Sequence, residues 1–324
     1  MRSSGLDAQL DKHLADAHAI EEQALAQLRR APGLAVDPSL SEAFAQHLTE
    51  TERHERLVRD RLTARDASPS RLKDLAMAVG GKGFVLFARG RPDTPAKLTL
   101  HAYSYEALEQ GSYELLARMA IRAGDQETVS VAHEILAEEY AMAQRLAERF
   151  DRAVAASLPA DTPAAARERL PSYLADVHAV EQESIGLLEQ GEKLAGDPQL
   201  EELYRVHLAQ TRDQLRLVDE RLAVHDSAPS RIKDAAMRLG ALNWSGFFAA
   251  HPDTPGKLAV FAYAFEHLEI AGYELLACVA DRAGDGTTAE LARRIADEER
   301  AAARVTRDSF DRALDAALHA EGVA

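Results

Sequence analysis

The sequence predicts an all-α protein built from two four-helix bundles in tandem, each with one extra short helix between its second and third long helices. The composition favours helix, because Ala, Leu, Glu and Arg dominate and aromatic residues make up only 6% of the chain. Apolar residues recur at helical spacing along most of the 324 residues. A repeat with an offset of 160 positions indicates that one domain occurs twice.

The repeat is visible without gaps along the whole chain. LADAHAIE (14–21) matches LADVHAVE (174–181), and SYELLA (112–117) matches GYELLA (272–277). The predicted domains span 1–158 and 165–324, on either side of a segment rich in Ala and Pro. Because a fused pair of similar domains often replaces a homodimer, we expect an intrachain pseudo-dimer, with further homo-oligomerisation left open.

Each predicted helix of the first copy has a recognisable start or end. Asp37-Pro38 is an N-cap followed by proline and begins the second helix, and Ala123-Gly124-Asp125 ends the fourth helix and caps the fifth. Ser68-Pro69 and Asp93-Thr94-Pro95 begin the third and fourth helices in the same way. The predicted helices are 6–30, 38–64, 71–88, 94–122 and 126–156. Short loops between long helices indicate a four-helix bundle.

Charge and composition exclude several classes of function. The net charge is −15 and no basic stripe is present, so we expect binding neither to nucleic acid nor to an anionic membrane surface. The N-terminus lacks the apolar segment of a signal peptide, and no apolar run approaches the length of a membrane span. Cys278 is the single cysteine, and its counterpart is Arg118. These features predict a cytoplasmic protein.

Several ionisable side chains lie on the apolar stripes of the long helices. His18 and Glu21 interrupt the stripe of the first helix, and Glu106 and Glu109 share one face of the fourth. Burying an unpaired carboxylate costs on the order of several kcal/mol, so a neutralising group is expected. Inward Lys and Arg residues are too few, whereas oxygen and imidazole ligands suit two iron or manganese ions per bundle.

The candidate metal ligands occur at matching positions in the two copies. A single inward His or Glu is more often a hydrogen-bonded core residue, so the prediction rests on the whole set. In the first copy the candidates are His18, Glu21, His47, Glu50, His54, Glu106, Glu109 and Glu138. In the second copy they are His178, Glu181, His207, Glu266, Glu269 and Glu298. Since Gln210 replaces Glu50 and Gln214 replaces His54, the first copy is predicted to be the better site.

Four segments resemble the YciF-type ferritin-like stress proteins: DAHAIEEQ (16–23), EAFAQHLTET (42–51), FEHLEIAGYELL (265–276) and the DEE within 295–303. The resemblance covers both copies and implies ferritin-like bundles with a dinuclear iron or manganese centre. The implied ligands are Glu21, Glu50, His54, Glu106 or Glu109, and Glu138, with Glu181, Glu266 or Glu269, and Glu298 in the second copy. The chain departs from the general ferritin-like pattern, because no His follows Glu138 or Glu298 and the third long helix carries Glu-x-x-Glu.

Three functions are consistent with these residues. The first is a stress-response metal protein with ferroxidase-like or catalase-like redox chemistry. The second is a metal-free, non-catalytic stress-associated bundle that acts through protein contacts. The third is iron storage, which the fused pair disfavours because storage needs a closed shell of many subunits. The choice of reaction rests on the resemblance, since one fold hosts many functions.

Overall fold

The computed structural model describes residues 4–68, 94–227 and 253–323, and its regular secondary structure there is α-helix. The chain divides into two units, Met1–Ser157 and Leu158–Ala324. The predicted third helix at 71–88, and with it the extra short helix, lies outside the described residues. No helix within the described ranges is long and apolar enough to cross a membrane.

The first unit is a four-helix bundle, as the sequence predicts. Helix α1 packs against α3 and α4, and α5 also packs against α3 and α4, so the four long helices enclose one core. The short helix α6 packs on α4. The helices are α1 (Ser4–Leu28), α2 (Ala31–Leu34), α3 (Pro38–Ala64), α4 (Thr94–Ala123), α5 (Gln126–Ala147) and α6 (Phe150–Ser157).

The second unit repeats this arrangement. Helix α7 packs against α8 and α9, and α10 packs against the same two helices. One difference is that α7 is continuous, whereas its counterpart in the first unit breaks between α1 and α2. The helices are α7 (Pro163–Leu194), α8 (Pro198–Val224), α9 (Thr254–Ala283), α10 (Gly286–Asp308) and α11 (Phe310–Ala320).

The helix ends follow the predicted caps. The Asp37 side chain accepts hydrogen bonds from the backbone N–H groups of Ser39 and Leu40 and so begins α3. Asp125 accepts one from Thr128 and begins α5. Gly124 before it has a φ of 72°, the left-handed conformation that favours glycine after a helix. These caps fix where α3 and α5 start, and thereby which of their side chains lie at mid-height.

The predicted helix at 126–156 is two helices. Helix α5 ends at Ala147, and α6 begins at Phe150. The break allows the buried Phe150 ring to pack edge-on against Tyr103 of α4, with 5.3 Å between ring centroids. Phe310 packs on Tyr263 in the same way in the second unit, at 5.7 Å. Aromatic packing therefore overrides the continuous helical pattern at this point.

Candidate metal centre

Ionisable side chains from all four long helices meet in the middle of the first unit, and each is at most 3% exposed. One group contains His47, Glu106, Glu109 and Glu139, whose potential ligand atoms lie within 4.8 Å of one another. A second group contains Glu21, His54 and Glu139 by the same measure. Because Glu139 belongs to both groups, its two oxygens face two neighbouring positions where a cation could bind.

The two histidines point one ring nitrogen each at these carboxylates. His47 Nε2 lies 3.2 Å from Glu106 Oε2 and 3.5 Å from Glu139 Oε2. His54 Nδ1 lies 2.8 Å from Glu139 Oε1 and 3.9 Å from Glu21 Oε1. Glu139 thus lies between the two imidazoles, which come from positions seven residues apart on α3.

Some of the buried oxygens lack protein partners. Neither oxygen of Glu109 has a hydrogen-bond partner among the residues that the structure describes. The Tyr113 hydroxyl donates to Glu21 Oε1, and within the same described ranges Glu21 Oε2 has no partner. Burial of such oxygens is unfavourable unless a proton or a cation compensates. The donor set fits a hard or borderline metal ion.

The electrostatics of the cluster show the same need for positive charge. Burial and the charges of Glu139, Glu21 and Glu106 raise the pKa of Glu109 well above its usual range. Burial raises the pKa of Glu21 to about 8 and that of Glu139 to about 7. Burial alone would lower the pKa of His54, but its hydrogen bond to Glu139 and the charges of Glu139 and Glu21 raise it to about 9. In the protein alone, cationic imidazoles and protons retained on some of the carboxylates therefore both reduce the buried negative charge.

Each histidine is held from outside by a carboxylate and an arginine. His47 Nδ1 lies 3.1 Å from Glu50 Oε2, and Arg145 donates to the same Glu50 oxygen at 2.6 Å. Burial acts against ionisation of Glu50, yet the hydrogen bonds from His47 and Gln46 and the charge of Arg145 lower its pKa to about 2. This arrangement orients the ring, as outer partners of metal-binding histidines do.

The second histidine has the equivalent support. His54 Nε2 lies 2.8 Å from Glu138 Oε2, and Arg53 donates to the other oxygen of Glu138. Although burial raises the pKa of Glu138, the hydrogen bonds from His54 and Arg53 lower it below its usual value. Both imidazoles are therefore fixed through the nitrogen that faces away from the cluster.

The structure corrects two of the predicted inward carboxylates. The inward glutamate of α5 is Glu139, which is 0% exposed, whereas the side chain of Glu138 is 34% exposed and holds His54. The buried stripe of α5 runs through Ala132, Ile135 and Glu139. The predicted stripe used Glu138, the residue before Glu139, whose side chain points about 100° away around the helix. Likewise Glu299, not Glu298, is inward on α10. Glu50 lies outside both ligand groups because it pairs with His47 and Arg145.

His18 is buried as predicted, but it lies apart from the central groups. Its Nε2 is 3.1 Å from Glu55 Oε1, and with Glu22 these residues form a separate cluster. Arg59 also pairs with Glu55, at 2.9 Å, so this carboxylate already has a cation. His178 similarly lies 3.3 Å from Asp219. Of the predicted residues, the central groups therefore contain Glu21, His47, His54, Glu106 and Glu109.

A family model described as "Domain of unknown function (DUF892)" matches the chain twice, over residues 6–158 and 165–319. The chain belongs to the DUF892 family. This family is part of the ferritin-like superfamily, and the double match supports a tandem duplication. No solved structure matches the chain.

The second DUF892 domain has a smaller ligand group. His207, Glu269 and Glu299 place potential ligand atoms within 4.8 Å of one another. The Tyr273 hydroxyl donates to Glu181, as Tyr113 does to Glu21. His54 is replaced by Gln214, whose amide Nε2 donates to Glu299 Oε1 at 2.6 Å and to Glu298 Oε2 at 3.1 Å. An amide nitrogen cannot bind a metal as an imidazole does. Of the two histidines in the central groups of the first domain, the second domain keeps the counterpart of His47, which is His207.

The remaining substitutions change how His207 and Glu266 are held. Thr306, the counterpart of Leu146, donates to Glu266 Oε1 at 2.6 Å, while His207 Nε2 lies 3.9 Å from the same oxygen. Gln210 replaces Glu50, and the exposed Val305 replaces Arg145. Burial lowers the pKa of His207 to about 4, which keeps its imidazole neutral at physiological pH.

Proposed function

We propose that the first DUF892 domain binds two iron or manganese ions and uses them in oxidation–reduction chemistry. The observation that carries the proposal is the pair of ligand groups that share Glu139, together with the buried Glu109 carboxylate whose oxygens have no partner in the described part of the chain. The resemblance to YciF-type ferritin-like stress proteins supports the same assignment. The stress response, the cytoplasmic location and the pseudo-dimer stay predictions.

The ligands of one ion would be His47, Glu106 and Glu109, those of the other Glu21 and His54, with Glu139 facing both. Two cations would replace the protons that burial otherwise retains on Glu21, Glu109 and Glu139. When bound, iron or manganese supplies a one-electron redox couple and Lewis acidity. The chain itself buries the carboxylates to 3% exposure or less and orients both imidazoles through Glu50 and Glu138.

Two reactions fit such a centre. One is oxidation of ferrous iron by dioxygen or peroxide. The other is disproportionation of hydrogen peroxide, in which one molecule is reduced to two waters by two protons and two electrons that a second molecule releases as it becomes dioxygen. In either case the Tyr113 hydroxyl, which donates to Glu21, would keep that carboxylate oriented.

Metal analysis of the purified full chain tests the proposal. We expect two ions from the first domain and at most one from the second, with Glu109→Gln lowering the content and Glu269→Gln as the matched change in the second domain. Added chelator should lower the unfolding temperature of the wild type, because a ligand that binds the native state stabilises it. Purified chain that takes up no iron or manganese, and unfolds identically with chelator, would contradict the proposal.

The alternative function, a metal-free bundle that acts through protein contacts, is favoured by one observation. The raised pKa values of Glu21 and Glu139 allow both carboxylates to remain protonated near neutral pH, so the core can be neutral without metal. The same metal analysis separates the two functions, since the alternative requires full thermal stability in the presence of chelator.

A further inference from the structure

A cavity of about 20 Å³ lies beside the ligand cluster of the first unit, between α1, α3 and α4. Its lining includes His47, Glu106 and Glu109 of the ligand cluster together with Gln27, His101 and Tyr105. A water molecule needs roughly 10–15 Å³, so the cavity holds about one small molecule. Gln27 and His101 are each partly exposed, so the lining joins residues at the surface to the buried Glu109.

The wall of the cavity offers hydrogen bonds. The Gln27 amide Nε2 is buried and has no hydrogen-bond partner among the described residues. Neither oxygen of Glu109, which also lines the cavity, has a partner within those residues. The Tyr105 hydroxyl donates to the Ile20 carbonyl at 2.9 Å, so this residue contributes its ring rather than its hydroxyl. The cavity thus has an amide donor and a carboxyl group among its lining residues.

The second unit has apolar residues at the same positions. Leu187 replaces Gln27, and Phe261 replaces His101. The ring of Tyr204, the counterpart of Phe44, lies directly on the backbone of α7, because a β-carbon added at Gly191 would be 2.8 Å from Tyr204 Cγ. In the first unit Ala31 stands at the position of Gly191, and Pro32 follows it in the first turn of α2, just after the break.

We infer that this cavity is a binding site for one small hydroxylic molecule, and that hydrogen peroxide is the substrate it admits to the first DUF892 domain. Peroxide has two non-hydrogen atoms and both donates and accepts hydrogen bonds, as the Gln27 amide and the Glu109 carboxylate require. Dioxygen does not donate hydrogen bonds and accepts them poorly, so these polar groups would not favour its binding. Gln27 and His101 are the specificity-determining residues. Turnover of the bound peroxide rests on the proposed redox function, whereas its binding in the cavity does not.

The first experiment is independent of metal. Crystals of the metal-free full chain, soaked in hydrogen peroxide, should show two bonded oxygen atoms within hydrogen-bond distance of Gln27 Nε2, where unsoaked crystals show at most a single water. The double variant Gln27→Leu/His101→Phe, which introduces the residues of the second unit, should lose the bound peroxide. A wild-type cavity that is empty, or that holds the same single water before and after soaking, would overturn the inference whether or not the protein binds metal.

The second experiment uses the metal-loaded chain. Hydrogen peroxide should be consumed at least about tenfold faster than tert-butyl hydroperoxide, which exceeds the cavity. The double variant should lose peroxide turnover by about tenfold or more while its metal content is unchanged. Gln9→Leu, a matched change on the same helix outside the cavity, should retain both. Equal turnover of the two hydroperoxides, or full turnover by the double variant, contradicts the inference, whereas absent metal contradicts the proposed function alone.

Discussion

The two units share a fold and differ in how their buried carboxylates are compensated. In the first, His47 and His54 face Glu139 from two sides, at 3.5 and 2.8 Å. In the second, the Gln214 amide donates to Glu299 at 2.6 Å and Thr306 donates to Glu266. The second unit thus has the neutral Gln214 amide in place of the cationic His54 imidazole. It has the Thr306 hydroxyl in place of the apolar Leu146 side chain. Each solution compensates only part of its cluster, because both oxygens of Glu109 and both of Glu269 lack a hydrogen-bond partner among the described residues.

Contacting residues around the cluster changed in pairs. Where Gln210 replaces Glu50, Val305 replaces its partner Arg145, and where Gln214 replaces His54, Asp213 replaces Arg53. In the first unit Arg145 donates to Glu50, whereas Arg53 and His54 each contact Glu138. His47 is retained as His207 although its outer carboxylate is lost, and Glu138 is retained as Glu298 although its histidine is lost. The tests below therefore measure directly what Glu50 and Glu138 contribute to the histidines.

The largest expected effect comes from the shared carboxylate. Glu139→Gln should abolish binding of both ions in the first unit, because this residue faces both ligand groups. Glu299→Gln should remove at most one ion per chain, since its unit has one group. Elemental analysis of the two variants measures the difference. Equal losses would show that the two units are equivalent as metal sites.

The second unit should become a better site when its missing histidine is restored. Gln214→His combined with Asp213→Arg recreates the His54 and Arg53 pair opposite Glu298 and Glu299. We expect a gain of one ion per chain, with Gln214→His alone binding it more weakly. Isothermal titration of the chelator-treated protein reports the stoichiometry, and an unchanged value would refute the role given to His54.

Removal of an outer carboxylate should weaken metal binding without abolishing it. Glu50→Gln and Glu138→Gln each leave the ligand atoms in place, and loss of such an outer partner typically costs about 10–100-fold in affinity. Glu298→Gln is the control, because the counterpart of His54 there is Gln214. Competition with a metal-binding dye measures the affinities. A complete loss of metal would instead make Glu50 or Glu138 a direct ligand.

The smallest effect concerns the pH dependence of the metal-free protein. The pKa of folded His54, about 9, exceeds its usual value of 6.5, so its contribution to stability is present below pH 6.5 and is lost as the pH rises to 9. The shift corresponds to about 3 kcal/mol. The pKa of Glu21, about 8, adds a loss between pH 4.5 and 8.

Thermal unfolding of chelated wild type and His54→Gln between pH 6.5 and 9 isolates the histidine. The wild type should lose more stability over this range than the variant. His207→Gln in the second unit serves as the control, because the pKa of His207 is about 4 and this imidazole stays neutral throughout the range. Parallel curves for wild type and His54→Gln would show that His54 is neutral in the folded protein.

The helices and most of the central residues were predictable because caps and apolar spacing are local signals. The position of Glu139 was not, because Glu138 and Glu139 are adjacent and each continues an apolar stripe through Ile135 and Met142. Extending the stripe back to Thr128 and Ala132, both buried, would have selected Glu139. A rotation of one residue moves a side chain by about 100° around a helix.

The role of Glu50 depends on a contact between distant parts of the chain. Its partner Arg145 lies 95 positions away on α5, so no local pattern reveals the pair. Comparison of the copies contained a signal, since both partners are replaced in the second unit. The cavity beside Glu109 was likewise not predictable, because it depends on the break before Pro32 and on packing around Ala31.

The amide of Gln214, which bridges Glu298 and Glu299, has a consequence for folding under metal starvation. A domain whose buried carboxylates are compensated by bound cations gains stability only when the concentration of free metal exceeds the dissociation constant of its site. A domain whose carboxylates accept hydrogen bonds from its own side chains has that stability as soon as the polypeptide is made. We therefore expect the second unit, in which Gln214 and Thr306 supply such donors, to lose less stability than the first when iron and manganese are scarce.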